Sequence, residues 1–130
     1  MGMTKLMPGV RREDLLPADD PGEGRRIAEE AARQLNAAYG ERLRRVVLFG
    51  SWVTGQAHEE SDVDLIVVLD QIDNRAQERD RLVDVLYDLE VESRRAIQAF
   101  PVAEADALSG ERAFVTAALR DGTSLLGSRP

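Results

Sequence analysis

The sequence contains no cysteine, which excludes a disulfide framework and a thiolate metal site and favours a reducing compartment. Aromatic residues make up only 5% of the chain. No run of apolar residues approaches the roughly 20 that a membrane span requires, and the first residues lack the apolar segment of a signal peptide. We therefore expect a cytoplasmic protein that does not contact a membrane.

Basic residues are in the minority, with 17 lysines and arginines against 24 acidic residues and a net charge of -7. This charge disfavours direct binding to nucleic acid, so we expect nucleic acid to be reached only through a partner. Apolar residues are plentiful, because Leu, Ile, Val and Phe together number 34 among 130 residues, enough for the core of one domain. We predict a flexible N-terminal tail over 1–21 and a single domain over 22–130.

Hydrophobic periodicity predicts an α/β (α+β) chain with the order α-β-β-α-β-α. The predicted elements are a helix over about 21–39, strands over 46–49 and 62–70, a helix from a cap at 73–74 to about 91, a strand over 96–103 and a helix over about 110–119. The segment 62–70 is acidic at both ends and apolar between them, which is typical of a central strand buried on both faces. Pro101 cannot donate to a strand ladder and predicts either an edge position for the third strand or a bulge there.

Two of the predicted helices show which apolar residues face the core. In the helix that ends near residue 91 they are Leu82, Val83, Leu86 and Leu89, and in the last helix they are Phe114, Ala118 and Leu119. Trp52, which follows the first strand, is expected to cover the rim of the core, with stacking on a base as the alternative. His58, the only histidine, is expected to face solvent in a loop.

The residues that carry chemistry lie between and at the start of the first two strands: Gly50-Ser51, ten further residues, then Asp62-Val63-Asp64. Side chains two apart on a strand share a face at a spacing of roughly 6.6 Å, so Asp62 and Asp64 can bind the same small cations. Carboxylate oxygens suit Mg2+, which keeps coordination positions for phosphate and water. Gly50 lets a triphosphate approach the backbone, and a short helix that begins near Ser51 offers amide groups and a hydroxyl to it.

This arrangement resembles the G-S-x10-D-x-D signature of the minimal nucleotidyltransferases in the DNA polymerase beta superfamily, over about residues 22–126. The resemblance implies a small mixed β-sheet flanked by helices. It also implies transfer of a nucleoside monophosphate, AMP from ATP in the first instance, to an acceptor hydroxyl with release of pyrophosphate. By the same resemblance, Gly50 and Ser51 bind the β and γ phosphates, and Asp62 and Asp64 are the catalytic carboxylates that hold two Mg2+ ions.

The expected acceptor is a macromolecule, because one small domain leaves no second domain to hold it. The small stand-alone members of the family look like the transferase half of toxin–antitoxin pairs. This likeness implies a HEPN-type helical protein as the partner, which the transferase neutralises. Association into a homo-oligomer stays open.

The third predicted strand departs from the family pattern at Gln98. Active members place a third carboxylate in this strand, and a glutamine oxygen can touch Mg2+ but cannot accept a proton as a base. The acids that could take that place are Glu90 and Glu92 before the strand and Glu104 and Asp106 after it. The alternative function is therefore a nucleotide-binding module that masks a partner with little or no catalysis.

Overall fold

The computed structural model describes residues 16–126. Residues 1–15 of the predicted tail and residues 127–130 of the predicted domain lie outside this range, so the division of the chain stays a prediction. The described end of the tail is held in place: the amide of Ala18 donates to the carbonyl of Ala57 at 3.2 Å, and the amide of Glu59 donates to the carbonyl of Leu16 at 3.0 Å. Residues 16–18 therefore pack along the loop that precedes the second strand.

All six predicted elements are present within the described residues, together with some that the sequence did not predict. The helices are α1 (Glu23–Tyr39), α2 (Ser51–Thr54), α3 (Arg75–Ser93), α4 (Glu104–Ser109) and α5 (Ala113–Asp121), and the strands are β1 (Leu43–Phe49), β2 (Val63–Leu69), β3 (Ile97–Ala103) and β4 (Thr123–Leu126). The short helix expected near Ser51 is α2. Not predicted were α4, β4 and a 3₁₀ turn over Gly40–Arg42.

The four strands form one mixed sheet in the order β3-β2-β1-β4. β1 pairs antiparallel with both β2 and β4, whereas β2 and β3 run parallel. β3 is an edge strand, as Pro101 predicted. The fold class expected from the sequence, a small mixed sheet with flanking helices, is confirmed.

The side chains of β2 alternate between two cores, as expected for a central strand. Val63, Leu65, Val67 and Leu69 are fully buried in the core that includes residues of α1 and α3. Ile66 and Val68 point to the other face, where they pack with residues of β3 and α5. Each fully buried side chain of this size contributes roughly 1.5–3 kcal/mol, so β2 is the central source of stability in the sheet.

Two of the predicted core residues are exposed instead. Leu82, Leu86 and Leu89 form the buried face of α3, but Val83 lies about 100° further round the helix and is 58% exposed. Phe114 is 52% exposed because it lies in the first turn of α5, where the next residue, Val115, takes the buried position. No helix within residues 16–126 is both long and apolar enough to cross a membrane.

Candidate active site

The two predicted catalytic carboxylates lie at the start of β2, on the face that α5 covers further along. Asp62 immediately precedes the strand and Asp64 is its second residue. Across the sheet, Asp64 is the Cα partner of Phe49 on β1 and of Gln98 on β3. The structure therefore brings Asp62 and Asp64 to one face, at one edge of the sheet.

The surroundings of Asp64 disfavour its negative charge. The pKa of Asp64 is raised from 3.8 to about 6, first because its carboxylate is largely withdrawn from water and second because the charge of Asp62 is close. No cation within the described residues offsets these two effects on Asp64. A metal ion between the two carboxylates would relieve both.

The Gly50-Ser51 turn contacts this pair. Gly50 joins β1 to α2 with φ +88°, in the region that disfavours residues with a side chain. A Cβ added to Gly50 would lie only 2.6 Å from Oδ2 of Asp64. Position 50 therefore requires glycine for two reasons: its backbone conformation and the close approach of the Asp64 carboxylate.

Gln98 completes the polar groups at this edge. Its Nε2 donates to Oδ2 of Asp62 at 3.1 Å, and its Cα is in register with that of Asp64. The position where the family places a third carboxylate therefore faces the pair, and here it carries a neutral amide. This amide bonds to the carboxylate of Asp62 without adding charge or a base.

None of the four alternative acids joins the pair. Glu90 accepts a hydrogen bond from the amide of Ile97 at 2.9 Å, and Glu92 is exposed on α3. Glu104 and Asp106 follow the far end of β3, roughly 20 Å along the strand from Gln98. Within residues 16–126, no group of three or more His, Cys, Asp or Glu side chains is arranged to hold a metal ion.

Arg95, which the sequence analysis did not single out, holds together the segments that surround the carboxylate pair. Its guanidinium donates to both oxygens of Glu23 at 2.7 and 3.2 Å and to the carbonyls of Glu59 and Ser61, both at 3.0 Å. It also lies 4.9 Å from the centroid of the Trp52 ring. Arg95 thereby ties α1 and α2 to the loop that leads into Asp62. A pair of adjacent arginines between a helix and a strand gives no sequence signal of this role.

Trp52 and His58 have structural contacts near this loop. Trp52 packs on the rim of the larger core, as expected, and so closely against α1 that a Cβ added to Gly24 would lie 2.3 Å from the indole. His58 is half-buried, whereas the sequence analysis predicted that it faces solvent. Its Nδ1 accepts from the amide of Glu60 at 3.2 Å, and its amide donates to Oγ of Ser61 at 2.9 Å.

A cluster of three aromatic rings, also missed at the sequence level, lies on the same face as the carboxylates. The ring centroids of Phe49, Phe100 and Phe114 are 5.5 to 5.9 Å apart. Phe100 is 36% exposed and Phe114 is 52% exposed. The even spacing of Gln98 and Phe100 on β3 was the available signal, since it puts both side chains on one face.

A polar cavity of about 310 Å³ lies at the opposite end of β2 and is not this site. It is lined by residues that include Arg42 and Glu78. Arg42 already donates to the carboxylates of Asp70 at 3.1 Å and Glu78 at 2.9 Å, and to the carbonyl of Gln71 at 2.9 Å. This end of the strand is a network of satisfied charges.

Comparison with known proteins gives a family for the chain. Residues 26–112, more than half of the chain, match the nucleotidyltransferase domain, and the match includes the Gly-Ser turn and both aspartates. A candidate protein adenylyltransferase of Methanocaldococcus jannaschii is 38% identical over 42 residues, which are 32% of this chain and 42% of that protein. The match thus spans less than half the length of this relative.

Solved structures share the fold. A toxin–antitoxin structure with AMP-PNP has a TM-score of 0.54 at 22% identity, over 78% of this chain and 74% of that one. A mutant of the toxin–antitoxin MntA-HpeT has a TM-score of 0.52 at 20% identity, with the same coverage of both chains. A nucleotidyltransferase candidate from Sulfolobus solfataricus has a TM-score of 0.51 at 17% identity, over 78% of this chain and 81% of that one.

The family match and the shared fold confirm the resemblance drawn from the G-S-x10-D-x-D spacing. The chain belongs to the nucleotidyltransferase domain family, the class of enzyme that the sequence predicted.

Proposed function

We propose that the protein transfers AMP from ATP to a hydroxyl group of a macromolecular acceptor and releases pyrophosphate. The observation that carries this proposal is the contact between the Gly50 turn and the carboxylate of Asp64, beside Asp62. A group that binds phosphate and a pair that binds a metal ion are useful together only if they are adjacent. Here they share one edge of the sheet.

The carboxylate pair fits Mg2+. The raised pKa of Asp64 reflects negative charge that has no compensating cation within the described residues, and hard oxygen donors suit this ion. Asp62 and Asp64 would hold it, and the phosphates of the nucleotide would complete its coordination. When bound, two such ions would neutralise charge on the entering and leaving oxygens.

The remaining steps belong to residues of this chain. Gly50 and Ser51 receive the β and γ phosphates, so that the α phosphate comes to lie at Asp62 and Asp64. Gln98 holds Asp62 through its amide and cannot take the proton of the acceptor hydroxyl, which therefore passes to solvent water as the new P–O bond forms and pyrophosphate leaves. Positioning and charge neutralisation supply most of the rate enhancement in phosphoryl transfer, so transfer should still take place. Because Gln98 cannot act as a base, we expect this transfer to be slow for its family.

The comparisons support the choice of nucleotide and of acceptor. A structural neighbour contains AMP-PNP, others are toxin–antitoxin structures, and the archaeal relative is named for protein adenylyltransfer. We therefore propose ATP as the substrate and a partner protein as the acceptor. By the resemblance described above, the partner is a HEPN-type helical protein.

A second candidate function follows from Gln98. Without a third acid, the same site can bind Mg·ATP and a partner without transfer, as a module that masks the partner. The two candidates share the binding site and differ only in turnover.

The test incubates the purified full chain with α-labelled ATP, Mg2+ and the protein encoded beside it. Wild type is compared with Asp62→Asn and Asp64→Asn, and with Asp70→Asn as a matched control at the other end of β2. We expect label on the partner with wild type and the control, and a loss of roughly 100-fold or more with the other two. Equal labelling by all four contradicts the proposal. Nucleotide binding by wild type without any transfer selects the masking module.

A further inference from the structure

Three features share a single face of the sheet. The Gly50 turn, at the end of β1, and Asp62 and Asp64, at the start of β2, lie together at one end of this face. The aromatic cluster begins beside them and extends away from that end: Phe49 is in register with Asp64, and Phe100 is in register with Ile66. Phe100 is therefore one same-face step, roughly 6.6 Å, further from the turn than Asp64 and Gln98.

The rings of Phe100 and Phe114 are partly exposed to solvent, although the next residue on this face of the sheet is buried. Val102, the next residue of β3 on this face, is 1% exposed under α5, whereas Phe100 is 36% and Phe114 is 52% exposed. Phe114 meets both other rings nearly edge to face, at interplanar angles of 78° and 74°. These contacts fix the rings in place, so their free surfaces are available without a large loss of side-chain entropy.

A nucleotide bound as proposed above would extend in the same direction. With its terminal phosphates at the turn and its α phosphate at the carboxylates, its ribose and base would continue over β2 towards the cluster. Nucleobases stack on aromatic side chains, and each such contact is worth roughly 1–3 kcal/mol. The other strongly exposed aromatic residue of the described chain, Tyr87, lies on α3, which packs on the opposite face.

We propose that Phe100 and Phe114 form the nucleobase-binding surface of the site and take the base of the nucleoside triphosphate by stacking. This inference rests on the proposed nucleotide site and adds to it the group that recognises the base. Phenylalanine offers no hydrogen bond to the edge of a base, so the surface selects by stacking area. A purine should bind more tightly than a pyrimidine.

The test separates the base from the phosphates. Binding of Mg·AMP-PNP and of Mg·tripolyphosphate is measured by calorimetry on the full chain, for wild type, Phe100→Leu, Phe114→Leu and the control Tyr87→Leu. Leucine keeps the apolar packing of the cluster and removes the aromatic face. Each Phe→Leu change should weaken Mg·AMP-PNP by about 5-fold to 100-fold, the equivalent of a lost stacking contact. Tripolyphosphate affinity should stay unchanged, and Tyr87→Leu should alter neither ligand.

Each other outcome overturns the inference in a different way. Equal weakening of both ligands would mean that the rings only shape the carboxylate site. Unchanged affinity for Mg·AMP-PNP would leave the cluster to another occupant, such as a partner protein, which loss of the partner complex in the same variants would reveal. If wild type binds neither ligand, the nucleotide site itself is refuted, and the inference is refuted with it.

Discussion

The two ends of β2 carry carboxylates with opposite electrostatic behaviour. At the start of the strand, burial and the charge of Asp62 raise the pKa of Asp64 to about 6. Just beyond its end, burial opposes ionisation of Asp70 as well. There, hydrogen bonds from the amide of Gln71 and the guanidinium of Arg42 outweigh burial and hold the pKa of Asp70 below its usual value.

The two ends differ in whether a cation of the protein acts on the carboxylate. Asp70 and Glu78 share Arg42, and Arg44 acts on Asp70 and Arg81 on Glu78, so their negative charge is compensated within the protein. At the other end, no cation of the described residues acts on Asp64, and Asp62 accepts a hydrogen bond from the neutral amide of Gln98. The negative charge that the described residues leave uncompensated at Asp64 destabilises the folded state, and a bound cation would offset this destabilisation.

Removal of Arg42 should have the largest effect on stability. Arg42→Ala leaves Glu78, whose side chain is only 10% exposed, without its main charged partner. We expect a loss of about 3 kcal/mol in the free energy of unfolding, measured by urea denaturation. Arg120→Ala, which breaks an exposed pair with Asp121, should leave the free energy of unfolding almost unchanged. Equal losses would show that the network at the far end of β2 does not stabilise the fold.

Gly50→Ala tests the contact between the turn and Asp64. The change imposes a side chain at φ +88° and presses it against Oδ2 of Asp64, so we expect about 2 kcal/mol of destabilisation and loss of Mg·ATP binding. Gly55 has a similar φ of +81° but open space around it. Gly55→Ala should therefore cost only about 1 kcal/mol and leave binding intact. Binding retained by Gly50→Ala would contradict the contact.

Gln98→Glu would make the active-site end of β2 still more acidic. The new carboxylate would replace the amide beside Asp62 and supply the missing base, so Mg2+-dependent transfer should rise about tenfold or more. Gln98→Leu, similar in size but without polar atoms, should give no gain. A labelling assay measures both, and equal rates for the two variants would show that position 98 does not reach the reacting groups.

Asp64→Asn should stabilise the metal-free protein, the reverse of Asp70→Asn. Because the pKa of Asp64 is raised in the folded state, its ionisation costs stability as the pH rises from about 4 to about 6. The full shift corresponds to roughly 3 kcal/mol, and solvent screening of a partly exposed group reduces this to about 1 kcal/mol. Asp70 has a lowered pKa, so its contribution is present above pH 3.8 and is lost as the pH falls through its folded value.

Thermal unfolding from pH 3 to pH 8 in EDTA checks both signs. Asp64→Asn should raise the melting temperature at pH 7 and flatten its dependence between pH 4 and pH 6. Asp70→Asn should lower the melting temperature at pH 7. The same direction of change in both variants would contradict the contrast between the two ends.

Most of the fold was predictable because the sequence pattern of β2 is easily recognised. Its continuous apolar run indicates a central strand, and Pro101 marks β3 as the edge. The segments α4 and β4 were missed because they are short and depend on packing against the sheet, which periodicity does not detect. Val83 was misplaced because it is apolar and directly follows Leu82 in the sequence. On the helix it lies about 100° from Leu82 and outside the buried face.

The candidate site was predictable in part, for a similar reason. Gly50, Ser51, Asp62 and Asp64 stand in two short segments at a fixed spacing, and the pairing of β1 with β2 brings Gly50 beside Asp64. Arg95 and the ring of Phe114 reach the site through tertiary contacts with distant segments. A single sequence contains no pattern that records such contacts.

Calorimetric titration of Mg·AMP-PNP tests the central claim most directly, with wild type, the double variant Asp62→Asn/Asp64→Asn and Asp70→Asn compared in one buffer. If Asp62 and Asp64 at the start of β2 form the metal–nucleotide site, wild type and Asp70→Asn will bind with equal affinity and the double variant will not bind. Binding by the double variant as tight as that of wild type would contradict the claim.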